Sequence, residues 1–231
     1  MTSPEASAPV LLAEDLHKAY RSGTREIPVL CGVSLRLEAG ETLSIRGESG
    51  TGKTTLLNLL AGIEEPDQGR LFWNDQEVGR QPRNQRTRQR ARFLGFVFQS
   101  YYLVPELNTL ENVVLAARIA GQSPRGARQR AEALLDELGL ADRLESQPAQ
   151  LSGGERQRTA IARALVNQPR VILADEPTGN LDEHTSERVM EQFLAVVEGH
   201  QAALVLVTHH AGFASRATSR FRLEEGCLVP A

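Results

Sequence analysis

At 231 residues, 41% hydrophobic and 24% charged, the chain can form one large domain or a core with a subdomain, and its makeup is that of a soluble globular protein. A formal net charge of −3 gives no general pull toward nucleic acid. The two cysteines, Cys31 and Cys227, lie far apart with no CxxC or Cys/His spacing, which argues against a disulfide framework or a zinc site and fits a reducing compartment.

The opening segment, MTSPEASAPV, lacks the basic start and apolar centre of a signal peptide, so residues 1–9 are expected to be a flexible tail before a single domain over 10–231. No apolar run approaches the roughly 20 residues that span a bilayer. Strand-like runs follow at Val10–Leu12, Val33–Leu37 and Thr42–Ile45, with a turn signal at Glu38-Ala39-Gly40-Glu41. Next comes GESGTGKT, residues 47–54, which matches G-x-x-x-x-G-K-[ST] between an apolar strand and a helix expected over Lys53–Ala61. Gly47, Gly50 and Gly52, with Ser49 and Thr51 between them, let the backbone curl until its N–H groups face a common centre. Lys53 can then reach the β- and γ-phosphates, the Thr54 hydroxyl can ligate Mg²⁺, and Thr55 adds a contact in the first helical turn.

Pro66-Asp67-Gln68-Gly69 marks a turn before a strand at Leu71–Trp73. The arginine-rich stretch GRQPRNQRTRQRARF, residues 79–93, fits a solvated helix face or a long loop, with an anionic membrane surface or an acidic partner as the other reading. A strand at Leu94–Phe98 ends at Gln99. Helical patterns then cover Leu110–Ala120, Pro124–Leu138 and Glu155–Asn167, with Gly121 and Gly139 as stops. The expected organisation is a core lobe over about 10–98 and 168–231, interrupted by a helical subdomain over about 99–167.

Within LSGGERQR, Ser152 and Glu155 fit a capping box. That accounts for neither Gly153 nor Gly154, which leave backbone N–H groups at a helix N-terminus open to an anion. In VILADE, residues 171–176, a buried strand over Val171–Ala174 ends in two carboxylates. Two acids there are costly without a cation or partner. Asp175 suits a Mg²⁺ shell and Glu176 can polarise an attacking water, the alternative being two exposed acids opening a turn before Pro177. A strand at Ala203–Val207 and a hairpin of Arg220–Leu223 with Cys227–Val229 complete the pass.

As a set, GESGTGKTT, LSGGERQR, VILADEP and PTGNLD resemble the ATP-binding cassette ATPases, over about Val10 to Val229. The resemblance implies an α/β P-loop NTPase fold: a mixed β core, RecA-like plus an antiparallel β subdomain, with an inserted α-helical subdomain. It implies ATP hydrolysis with Mg²⁺, in a pair of chains stacked head to tail around two ATP molecules. Ser152, Gly153 and Gly154 of one copy would face the γ-phosphate held by the other. Tyr20 would stack on adenine, Gln99 would sense Mg²⁺ and the attacking water, Asp182 would link the two sites, and His209 would contact the γ-phosphate. Most members carry Asp after that histidine; His210 stands here and reads as a structural histidine. ERQRTAIARAL with PTGNLD and FQSYYLVPELNTLENV is similar to the lipoprotein-releasing and macrolide-export branch, which implies a cytoplasmic ATPase, peripheral on the inner face of the bacterial cytoplasmic membrane, that powers a separate permease. The permease would dock near Gln99–Pro105. Tyr101, Tyr102, Leu103 and Pro105 would either line a groove for it or pack inside the helical insert. Similar cassettes that control cell-wall hydrolysis without moving a substrate are the alternative, and no nucleic-acid partner is implied.

Overall fold

Period-two alternation of side chains explains why the longest apolar runs are strands with two buried faces. The computed structural model describes residues 8–23 and 25–231, so most of the tail expected over 1–9 lies outside the described residues. Strands β1 (Leu11–Ser22), β2 (Arg25–Leu37), β4 (Gln68–Trp73) and β5 (Gln76–Glu77) form an antiparallel sheet in the order β2-β1-β4-β5. A second sheet takes the order β10-β9-β3-β8-β7-β6, from β3 (Thr42–Arg46), β6 (Leu94–Phe98), β7 (Val171–Asp175), β8 (Ala203–Val207), β9 (Ser219–Glu224) and β10 (Cys227–Pro230). All neighbours in it are parallel except the edge hairpin β9–β10.

Along β7 and β8 the residues alternate between two cores. Val171, Leu173, Ala203, Val205 and Val207 face the antiparallel sheet and helix α1 (Lys53–Leu60). Ile172, Ala174, Leu204 and Leu206 face the helices α3 (Thr109–Ile119), α4 (Pro124–Glu137), α5 (Gly153–Leu165) and α6 (Glu183–Gly199). A parallel sheet covered on both sides needs continuous hydrophobic strands, and β8 is buried at every position. The outcome is an α/β fold with a mixed β core and inserted helices.

Helix α5 reaches the sheet through one glycine. A Cβ on Gly95 in β6 would overlap the Ala164 carbonyl oxygen of α5 and lie 2.6 Å from Ile172 Cδ1. Overpacking at such a contact costs about 1–3 kcal/mol. Gly95→Ala is therefore expected to lower the urea unfolding midpoint by that order, with the slope unchanged; an unaltered midpoint would show that α5 is not held at this contact.

The structure departs from the sequence expectations at several elements. Strand β1 continues past Leu12 to Ser22, through register shifts around Glu14 to Leu16 and with Asp15 at φ 52°. That irregularity breaks the alternation that would have signalled a long strand. Helix α6 carries a stripe of Val189, Met190, Phe193, Val196 and Val197, but its first six residues are polar, and the sequence reading missed it. The arginine-rich stretch contains helix α2 (Arg83–Phe93), and part of it is not solvated: Arg86 is buried and donates to Glu65 Oε1 at 2.6 Å, Arg90 to the Gly62 carbonyl at 3.0 Å, and Arg92 to the Ala120 carbonyl at 3.0 Å. The helix expected at Glu155–Asn167 starts at Gly153 and stops at Leu165, while the one expected at Lys53–Ala61 stops at Leu60.

Candidate active site at the carboxyl edge of the central sheet

Parallel strands end at a common edge, so the residues after β3, β6, β7 and β8 are delivered to one place. A cleft of roughly 670 Å³ opens there. Gly47, Ser49, Gly50, Gly52, Lys53, Thr54 and Thr55 come to it from the loop after β3. Gln99 arrives from β6, Asp175 and Glu176 from β7, and His209 from β8. Thr51 holds the loop from outside, its hydroxyl donating to the Glu48 carbonyl at 3.0 Å.

The loop keeps its shape through Gly52, the N-cap of α1, at φ 99°. A Cβ there would lie 2.6 Å from Val29 Cγ1, so only glycine combines this left-handed backbone with the approach of β2. Lys53 Nζ arcs over the loop and donates to the carbonyls of Gly47 at 2.8 Å and Glu48 at 2.6 Å. An ammonium above backbone N–H groups at a helix N-terminus is a phosphate cradle.

Across the cleft, Thr54 Oγ1 donates to Asp175 Oδ2 at 2.8 Å. A hydroxyl and a carboxylate this close, with the Gln99 amide in the same cleft, are hard oxygen donors of the kind that could hold Mg²⁺ alongside phosphate oxygens. Glu176 adopts φ 46°, a left-handed conformation uncommon for a non-glycine residue, and its N–H donates to the Val207 carbonyl at 2.9 Å. This aims the side chain at His209, whose Nδ1 lies 2.9 Å from Glu176 Oε2. Gln99 and Asn180 exchange two hydrogen bonds: Gln99 Nε2 to Asn180 Oδ1 at 3.2 Å, and Asn180 Nδ2 to the Gln99 carbonyl at 2.9 Å. The sequence reading missed Asn180, although it sits inside the GNLD stretch already singled out.

Tyr20 does not line the cleft but stands beside it. Its hydroxyl donates to Glu64 Oε2 at 2.6 Å and is also hydrogen-bonded with Thr55. Burial, reinforced by the Glu64 carboxylate, raises its pKa. His210 caps the short helix α7 (Ala211–Ala214): its Nδ1 accepts from the Phe213 N–H, and its ring stacks on Phe213 with centroids 4.1 Å apart.

Ser152, Gly153, Gly154 and Asp182 lie outside this cleft. They form a second constellation, where α5 and α6 begin side by side. A Cβ on Gly153 would lie 2.9 Å from Leu181 Cδ2, and one on Gly154 the same distance from Thr185 Cγ2. Asp182 caps α6, accepting from the Thr185 N–H at 3.0 Å, and that hydrogen bond lowers its pKa. Ser152 and Glu155 form the capping box, with the Ser152 N–H donating to Glu155 Oε2 at 2.8 Å and the Glu155 N–H to Ser152 Oγ at 3.3 Å. The Ser152 backbone bond first, then the Ser152 hydroxyl and Arg143, pull the Glu155 pKa from 4.5 down to about 2. A depressed carboxylate stabilises the fold fully above its ordinary pKa and loses that contribution as pH falls through the folded value. Glu155→Ala is expected to cost about 0.5–2 kcal/mol at neutral pH. The difference in Tm from the parent should shrink between pH 4.5 and about 2; a difference independent of pH there would remove the ionised carboxylate from the cap.

Of the aromatic pair, one residue packs inside and one faces out. Tyr101 lies under Arg156, 5.5 Å from ring centroid to guanidinium carbon, while Tyr102 is 66% exposed and meets Phe98 edge-on. Both have left-handed backbones, φ 57° and 47°. Arg163 of α5 clasps their carbonyls, Nη2 donating to Tyr101 O at 2.6 Å and Nη1 to Tyr102 O at 2.5 Å.

A family model described as ABC transporter matches residues 30–179. The chain is similar to the lipoprotein-releasing system ATP-binding protein LolD of Bdellovibrio bacteriovorus, 44% identical over 214 residues, covering 93% of this chain and 97% of that protein. It is similar also to the LolD of Gluconobacter oxydans, 45% identical over 230 residues with 100% of both chains covered. Among solved structures it resembles an ATP-binding cassette captured as a dimer in a post-hydrolysis state bound to ADP and Pi, with a TM-score of 0.86, 35% identity and coverage of 94% and 96%.

Proposed function

The chain belongs to the ABC transporter family and is an ATP-hydrolysing cassette, and from that premise we propose that it powers lipoprotein release from the bacterial inner membrane through a separate permease. The observation that carries this reading is the identity to lipoprotein-releasing ATPases along nearly the whole chain, not in the nucleotide motifs alone. No described helix is long and apolar enough to cross a membrane. In this reading the permease supplies the span, and the cassette sits against the inner face of the cytoplasmic membrane.

The chemistry assigned to the cleft is phosphoryl transfer to water, which needs positioning and charge stabilisation more than covalent catalysis. Loop N–H groups and Lys53 Nζ bind the β- and γ-phosphates. Thr54 Oγ1, Asp175 and Gln99 would hold Mg²⁺, which when bound would supply positive charge to offset that of the phosphate. Glu176 orients the attacking water and takes its proton at the carboxylate, and His209 holds that carboxylate in line and contacts the γ-phosphate. Tyr20 supports the adenine side. The cleft and the α5–α6 constellation lie apart in one chain, which supports a head-to-tail pair: Ser152, Gly153 and Gly154 of the partner subunit close over the γ-phosphate, and Asp182 joins the two sites. The outward Tyr102 on the loop after Gln99 is the assigned contact for the permease.

The test is reconstitution of the chain with a lipoprotein-releasing permease in vesicles loaded with a lipoprotein. ATP-dependent transfer of the lipoprotein to a soluble acceptor is expected. Binding to the permease and hydrolysis without transfer would assign the cassette to another membrane task.

A further inference from the structure

The two cysteines occupy different sheets, β2 at the edge of the antiparallel sheet and β10 at the edge of the central one. The fold brings these edges together. The Cys31 N–H donates to the Gly226 carbonyl at 2.8 Å, and Cys227 Sγ lies 3.3 Å from the Cys31 carbonyl oxygen, across 196 positions of sequence. A Cβ on Gly226 would come within 3.1 Å of Cys31 Sγ, which places that sulfur on the β10 side of the seam. Both thiols are free and exposed, and the chain has no other cysteine.

We propose that Cys31 and Cys227 are a redox modification site, closed to an intramolecular disulfide by hydroperoxides and reopened by dithiol reductants. In the first step one thiolate attacks the O–O bond of the hydroperoxide; an S–O bond forms, the O–O bond breaks and an alcohol leaves. The other thiol then attacks the sulfenic sulfur, an S–S bond forms and water leaves. Two thiols lose two electrons in total, and the hydroperoxide is reduced to alcohol and water. An exposed pair accepts the oxidant, and two sulfurs on touching strands accept the bridge once the Cys227 thiol leaves its carbonyl partner. The bridge staples the two sheets beside the phosphate loop. Val29, two residues from Cys31, lines the nucleotide cleft and packs against Gly52. Cys227 borders the neighbouring depression, together with Gly47, Thr51 and His209.

The experiment treats the purified full-length chain with tert-butyl hydroperoxide. Expected are loss of both titratable thiols under denaturing conditions, a monomer lighter by two hydrogens, and a linked peptide pair containing Cys31 and Cys227. Tm should rise on oxidation, because the cross-link constrains the unfolded chain, and should fall back with dithiothreitol. Cys31→Ser and Cys227→Ser should each remove the mass change and the Tm shift while folding normally. Intermolecular cross-linking, separate sulfinic acids, or thiols that survive treatment would each overturn the assignment. The seam belongs to each protomer alone, so this result stands or falls independently of lipoprotein release.

Discussion

Replacing Glu176 with Gln is expected to cut ATP turnover by about 10²–10⁴-fold, the range for removing a positioned general base, while nucleotide binding survives. Gln preserves the size of the side chain. It leaves untouched the φ of 46° and the backbone bond from residue 176 to the Val207 carbonyl, so the cleft should keep its shape. What disappears is the charge that faces His209 Nδ1 at 2.9 Å and that, in the proposed mechanism, draws a proton from water. The phosphate cradle is built by Lys53 and the loop after β3, on the opposite wall, and owes nothing to that charge. The variant should therefore bind ATP and accumulate as a dimer in size-exclusion chromatography. Turnover near the parental rate would show that another group activates the water.

Gly153→Asp should reduce turnover about 10²–10³-fold, comparable to losing a donor to a reacting oxyanion, with nucleotide binding to the isolated chain unaffected. The substitution sets a carboxylate at the N-terminus of α5, where the partner's γ-phosphate is assigned to approach, and two anions there repel. Sterics must be separated from charge, since a Cβ at this position would stand 2.9 Å from Leu181 Cδ2 and 3.4 Å from the Tyr101 hydroxyl. Leu181 Cδ2 is the end of a flexible side chain that can give way, so Gly153→Ala should keep much of the activity that Gly153→Asp loses. Equal losses in the two variants would make packing the cause. Loss of nucleotide binding by the isolated Gly153→Asp chain would place this helix end in its own chain's site.

The cleft was legible because its parts are local. Gly47 to Thr55 are contiguous, Asp175 and Glu176 end one apolar run, and Gln99 and His209 each follow another; parallel pairing then carries all of them to one edge. Long-range partnerships left no such trace. Nothing in the sequence around Asn180 points to Gln99, and the link of Arg163 to Tyr101 and Tyr102 spans about sixty positions. The cysteine pair is the extreme case, since their separation in sequence argued against a relation that the meeting of two sheet edges creates. Helix α6 was overlooked for a different reason. Its apolar stripe has helical spacing but starts only at Val189, after a polar first turn and a half. The length of β1 was hidden by the bulged stretch at Asp15, where a left-handed residue disrupts the alternation a strand would show.

The two hydrogen bonds from Arg163 tie the outward-facing loop to the body of α5, bypassing Glu176 altogether. If Tyr102 is the permease contact proposed above, a push on it from outside would bear on the same rod whose far tip presents Gly153. In the proposed head-to-tail pair, strain and chemistry would then meet in opposite halves: the copy that feels the tug would not be the copy whose fuel is gripped less firmly, and each half would wait on news from its neighbour.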